Sequence, residues 1–246
     1  MSIDLPPVKF YLPKPAIIRK AESDLAMLPG IIPVNVGNAL ILDWIGQLGS
    51  TTNGLTIIAF GNLTFPNDAL AIVAFFGLGT NSQTCSSISI GGTNGALHAA
   101  NGSASTRKWG LASRLVTAGS IAISATLSGS NGSAASLSVG VWALRRAVSN
   151  TPVASAGIDS GSGTTRTINH NQSSPGIAVY GAFNGESTGG SGSFSTAQAV
   201  HYAAQDGNGR RFTYASSKNV PTQTPHSETF TISASDNASL VGGSWR

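Results

Sequence analysis

The sequence predicts an all-β protein, an antiparallel β-sandwich of jelly-roll-like type behind an extended N-terminal arm, and three observations predict it. The first is alternation. In residues 135–148, Leu137, Val139, Val141 and Ala143 fall on one face, and Ser138, Gly140, Trp142 and Leu144 on the other. That is the period of a strand, because successive Cβ atoms point to opposite sides of a sheet. The second is spacing. Roughly ten such short runs are separated by turn-forming Gly, Ser, Asn and Asp, which suits hairpin-connected strands rather than βαβ units. The third is composition. Charged residues make up 10% of the 246 and apolar residues 41%. Disorder needs low hydrophobicity and high net charge, and neither is present.

The arm comes first, over residues 1–36, with the sandwich over 37–246. Pro6, Pro7, Pro13, Pro15, Pro29 and Pro33 all lie in the arm, out of 11 prolines in the chain. Proline fixes φ, lacks an N–H and pushes its predecessor to extended geometry, so residues 6–15 are read as extended. Residues 21–28 allow at most a turn or two of helix. Val8, Phe10 and Leu12 alternate with Lys9, Tyr11 and Pro13, and Ile17 and Ile18 follow. An apolar edge without its own core must lie on something. Fully extended, about 20 residues reach on the order of 65 Å. The arm either wraps its own domain or docks on a neighbouring subunit, through Val8, Phe10, Leu12, Ile17 and Ile18.

Residues 35–49 contain Asn38-Ala-Leu-Ile-Leu-Asp-Trp-Ile45, with Leu40, Ile41, Trp44, Ile45 and Leu48 near helical spacing, and a short helix is expected there. Residues 55–60 and 69–76 read as strands about the turn Pro66-Asn67-Asp68. Both faces of 69–76 are apolar, so it should be covered on both sides. Strands over 86–90, 97–100 and 108–116 follow, joined by glycine- and asparagine-containing turns. Residues 121–127 alternate and are expected to form a hairpin-like pair with 137–144. Trp142 requires cover from outside its sheet, and Arg145 and Arg146 end that strand at solvent. Strands are read at 164–168 and 177–183. Two more, 197–205 and 211–218, flank the turn 206–209, and 228–234 is the last. No repeat of solenoid length is visible.

The chemistry is sparse. One cysteine, Cys85, excludes an intrachain disulfide and reads as a small buried residue. The net charge of +4 comes from scattered groups such as Arg145-Arg146, Arg210-Arg211 and Arg19-Lys20, without the clustered basic face that nucleic acid requires. His98, His170, His201 and His226 lack metal-ligand spacing. Glu186, Asp206 and Asp236 are not paired as glycoside hydrolysis requires. Asp206-Gly-Asn-Gly209 starts like a calcium loop but lacks its further ligands, and is read as a hairpin turn. No catalytic residue, metal or cofactor is expected. The N-terminus lacks the basic start of a signal peptide, and no apolar run reaches the ~18 residues of a membrane span. Synthesis in a cytoplasm without export or membrane insertion is the expectation. Trp109, Tyr180, Tyr202 and Tyr214 are the aromatics that could stack on sugars if exposed; Trp109, Tyr202 and Tyr214 are taken as the candidate glycan contacts.

Three stretches carry a resemblance: Lys9-Phe-Tyr-Leu-Pro-Lys-Pro-Ala-Ile-Ile-Arg-Lys-Ala-Glu22, Leu137-Ser-Val-Gly-Val-Trp-Ala-Leu144 and the ending Gly-Gly-Ser-Trp245-Arg246. In arm, middle and tail the chain resembles structural proteins of tailed bacteriophages and phage-like particles. The resemblance implies a non-enzymatic virion protein with a jelly-roll-like domain, made in the bacterial host cytoplasm. It would be a capsid decoration, spike or tail component, a trimer or higher homo-oligomer held to other virion proteins by its arm. The alternative is a lectin-like module binding a host surface glycan or receptor.

Overall fold

In the computed structural model the described residues are 39–246, apart from 104, 134, 173–175, 186–190 and 207; the arm 1–36, with Val8, Phe10, Leu12, Ile17 and Ile18, lies outside them, as does Glu186. No helix occurs among the described residues. The strands, in chain order, are β1 (Ile41–Ser50), β2 (Ile57–Phe65), β3 (Ala69–Gln83), β4 (Cys85–Ile90), β5 (Thr93–Asn94), β6 (Ala96–Ala100), β7 (Ser105–Val116), β8 (Gly119–Leu127), β9 (Ser136–Arg145), β10 (Ala154–Gln172), β11 (Gly176–Asn184), β12 (Gly192–Phe194), β13 (Ala199–Gln205), β14 (Arg211–Val220) and β15 (Gln223–Trp245). All pairings are antiparallel.

A first sandwich pairs the sheet β1-β9-β3-β7-β6 with the sheet β2-β8-β4-β5. Its interior holds Val73 and Phe75 of β3, Val139 and Val141 of β9, and Ile58, Ile88 and Ile123 from the facing sheet. The other face of β3 and β9 carries Ile72, Phe76, Trp142 and Leu144. It packs against Ile177, Val179 and Phe183 of β11, Phe212 and Tyr214 of β14, and Trp245 of β15. Both faces of β3 are therefore covered, and Trp142 is roofed by the sheet β10-β15-β11-β14-β13. Full burial of an Ile, Leu or Phe side chain in this contact is worth about 1.5–3 kcal/mol.

That third sheet folds over itself. The near half of β10 pairs with the far end of β15, Ala154 opposite Ser244, inside the central layer. After register shifts around Gly163, residues 165–172 of β10 and 223–231 of β15, with β12, cross over the opposite face. Arg166 holds this corner. It is buried and donates to the carbonyls of Ala238 at 3.0 Å and Asp236 and Thr165 at 2.6 Å. Ile168, Phe230 and Ile232 close on Ala178, Tyr180 and Ala182, making a second sandwich interior.

The two sandwiches repeat one plan. The orders β1-β9-β3-β7-β6 and β10-β15-β11-β14-β13 correspond strand for strand. The match extends to register. Leu97↔Ala112, a bulge at His98 and Ala99↔Leu111 in β6–β7 correspond to Val200↔Ala215, a bulge at His201 and Tyr202↔Tyr214 in β13–β14. His98 meets Ser113 Oγ at 2.7 Å, and His201 meets Ser216 Oγ at 2.7 Å. Phe76 opposite Trp109 corresponds to Phe183 opposite Phe212. By this register Ala74 is equivalent to Gly181, and a Cβ on Gly181 would lie 3.3 Å from that of Ala74. Equivalent residues thus meet at the centre of the contact, as at an isologous dimer interface. Glycines make room for rings there: a Cβ on Gly140 would lie 2.5 Å from Tyr214 Cγ, and one on Gly181 2.5 Å from Phe76 Cε2.

Several expectations are corrected. Residues 41–50 form a strand, not a helix. A bulge at Trp44/Gly46, with Gly46 at φ 151°, switches the face that β1 presents. Leu40, Leu42 and Trp44 serve the core between the sandwiches, while Ile45 and Leu48 serve the first sandwich interior, so a bulged strand imitates helical spacing. β8 and β9 do not form a hairpin: β8 pairs with β2 and β4 in the outer sheet, β9 with β1 and β3 in the central one. The last strand runs on past residue 234 through the tail to Trp245.

Candidate functional site

Two edge strands from different sandwiches, β1 and β13, frame a groove of about 280 Å3. Leu137 and Phe212 line it at depth, and Gln47, Ser50, Thr51, Tyr202 and Asp206 bring polar groups to it. Each is placed by its own strand. Gln47 follows the β1 bulge, and its Nε2 donates to Ser138 Oγ at 2.7 Å, which also accepts from the Tyr214 hydroxyl at 3.0 Å. Tyr202 follows the His201 bulge, and its half-buried ring leans on Tyr214 at 6.2 Å. Beside it His201 stacks on Trp44, ring centroids 5.2 Å apart and planes 7° apart.

Asp206 opens the β13–β14 turn. Its Oδ1 accepts from the amides of Asn208 at 2.9 Å and Arg210 at 3.0 Å, an Asx-type closure. The turn is anchored to the first sandwich by Arg210 Nη1 and Asn208 Nδ2, which donate to Ser136 Oγ at 2.6 and 3.1 Å. Asp206 Oδ2 is buried without a hydrogen-bond partner among the described residues. Burial, and secondly the Asp206 carboxylate, push the Tyr202 phenol up. The other two candidate glycan aromatics belong to the interior: Trp109 is 5% exposed and Tyr214 0%.

A second polar cluster lies where the far halves of β10 and β15 cover β11. Glu228 is fully buried and accepts from the Ser195 amide at 2.7 Å, Ser195 Oγ at 2.9 Å, the Thr196 amide at 3.1 Å and Thr196 Oγ1. His226 Nε2 lies 3.1 Å from Thr196 Oγ1, and Nδ1 2.8 Å from Gln223 Oε1. This superficially suits nucleophilic catalysis, but the Thr196 proton is held by the Glu228 carboxylate, whose Oε2 also lies 3.9 Å from His226 Nε2, and the opposite ring nitrogen meets the Gln223 amide rather than an acid. The cluster clamps residues 195–196 to β15. His170 and His226 converge to 5.2 Å between ring centroids, although the sequence separates them widely. Burial, and secondly His226, pull His170 down to about 4. No group of three or more His, Cys, Asp or Glu residues with metal-holding geometry occurs among the described residues.

Cys85 is buried beside Gly110, and burial pushes its thiol up to about 12. Lys108 is 1% exposed and donates to the carbonyls of Asn81 at 2.7 Å and Thr106 at 3.0 Å, its ammonium pulled down to about 8 by burial. Neither faces the groove. A larger cleft, of about 510 Å3, lies where β3, β7 and β9 end, lined by Leu70, Leu115 and Leu144 with Arg145 and Arg146. Compared with protein-family models, curated proteins and solved structures, the chain has no match.

Proposed function

We propose that the protein is a non-enzymatic structural subunit of a phage or phage-like particle, a surface capsid decoration, spike or tail component held to neighbouring subunits by residues 1–36. The observation that carries this reading is the outer edge of β2. Among the described residues β2 pairs with β8 alone, while Ile57 is 60% exposed and Leu55, just before it, 39%. An open edge bearing apolar side chains is a template for a further strand. The alternation of Val8, Phe10 and Leu12 is the pattern an added strand needs, and the resemblance of arm, middle and tail to virion proteins supports the same reading.

Light scattering of the full chain beside the chain lacking residues 1–36 tests it. A trimer or larger assembly that falls to a folded monomer on deletion supports an anchoring arm. The same number of subunits per particle for the two chains refutes it.

A further inference from the structure

We infer that the groove between β1 and β13 is a saccharide-binding site that takes a neutral sugar ring against Tyr202, Asp206 and Gln47. A sugar presents an apolar ring face and a rim of hydroxyls, and needs a flat apolar partner beside converging donors and acceptors. Tyr202 gives a half-buried ring in a lining shared with the apolar side chains of Leu137 and Phe212. Asp206 gives a buried carboxylate oxygen, Oδ2, without a hydrogen-bond partner among the described residues. A buried acceptor left unpaired costs free energy, which a ligand hydroxyl would recover. The Gln47 amide and the hydroxyls of Ser50 and Thr51 complete the polar rim. The carboxylate disfavours an anionic ligand. The volume, about 280 Å3, lies just under the usual range of small-molecule pockets, about 300–1,000 Å3, and suits one ring rather than a long chain.

The duplicated architecture supplies an internal comparison. In the shared register, Ala99 of the first sandwich stands where the second has Tyr202. Continuing that register without gap into the following turn places Ser103 where the second has Asp206. The same strands and bulge form in both copies, so the fold does not demand an aromatic ring at the position of Tyr202. Asp206 moreover accepts from the amides of its own turn, which Asn208 and Arg210 tie to Ser136 of the other sandwich. Such preorganisation lowers the ordering cost of binding.

The experiment is a titration of the full chain with D-glucose, D-galactose, D-mannose, L-rhamnose and N-acetyl-D-glucosamine, each followed by saturation-transfer NMR and calorimetry. At least one should bind with Kd of about 0.1–10 mM. Asp206→Asn, nearly isosteric, and Tyr202→Ala should each weaken it by about tenfold or more, with Tyr202→Phe retaining most of the affinity. Leu115→Ser, remote from the groove, should bind as the parent does. Thermal melts establish that the variants are folded. No binding by any of the five up to about 50 mM, or binding undiminished in folded Asp206→Asn, overturns the inference. The outcome is independent of the particle reading, which the deletion of residues 1–36 decides.

Discussion

Replacing His170 with glutamine should remove most of one proton's worth of acid sensitivity from the fold. His170 is buried against Tyr180 and His226, and neither ring nitrogen has a hydrogen-bond partner among the described residues. Burial first, and the neighbouring His226 second, lower its pKa from 6.5 to about 4. Tyr180 and His226 are the rings against it, at 5.9 and 5.2 Å between centroids, and the Tyr180 hydroxyl is engaged by Gln172. At pH 7 the ring is neutral in both folded and unfolded chains and contributes no difference. As pH falls below 6.5 the unfolded chain takes up the proton first, so stability declines until the folded ring also titrates near 4. At about 1.36 kcal/mol per pKa unit, the folded state loses about 3 kcal/mol by pH 4 through this group. Urea unfolding of the parent and of His170→Gln at pH 7 and pH 4 measures it. The parent should lose about 3 kcal/mol more than the variant. His98 and His201 are lowered by burial in the same direction and remain in both proteins, so they cancel, whereas His226 touches His170 and its own response to the substitution is part of the difference measured. Equal losses in the two proteins would refute the reasoning.

Other perturbations have equally definite outcomes. Gly140→Val drives a side chain into the Tyr214 ring and should cost at least about 2 kcal/mol, read as a drop in the urea midpoint; an unchanged midpoint contradicts the close packing of the two sandwiches. Glu228→Ala leaves the amides of Ser195 and Thr196 without their acceptor and should cost about 2–4 kcal/mol, with faster amide exchange at those two residues. The Cys85 thiol, pushed to about 12, should resist a disulfide reagent at pH 8 in the native protein and react at once in urea. Rapid native labelling would place it at the surface.

The central strands were legible because their signals are local. The two apolar faces of β3 and the late apolar turn of β9 at Trp142 report cover on both sides, and the structure provides it. The Asp206–Gly209 turn announces its hairpin by composition alone. β1 was illegible because a single inserted residue changes the parity of the alternation. The partner of β8 is not legible, because Ser128-Gly-Ser-Asn-Gly-Ser133 reads as a hairpin turn while β8 belongs to the outer sheet and β9 to the central one. The duplication left few residues in common, among them His98 with His201, Ser113 with Ser216 and Arg107 with Arg210. Elsewhere the core asks only for apolar volume, which Trp109 and Phe212, or Leu111 and Tyr214, meet in different ways. Tyr202 and Asp206 were nameable one at a time, but no local signal links them to Gln47, which reaches the groove only through the pairing of β1 with β9.

The two sandwiches face each other as a homodimer would, but residues 146–153 join them in one chain. A separate pair with this contact would dissociate on dilution, and its melting temperature would track protein concentration. Joined, the halves see each other at an effective concentration in the millimolar range whatever the bulk value. Their union is therefore fixed in stoichiometry and indifferent to dilution. A true homodimer must carry any sequence change twice, once in each subunit. The tethered pair escapes that constraint: one half keeps Ala99 while the other carries Tyr202, and a single asymmetric face results from a symmetric plan.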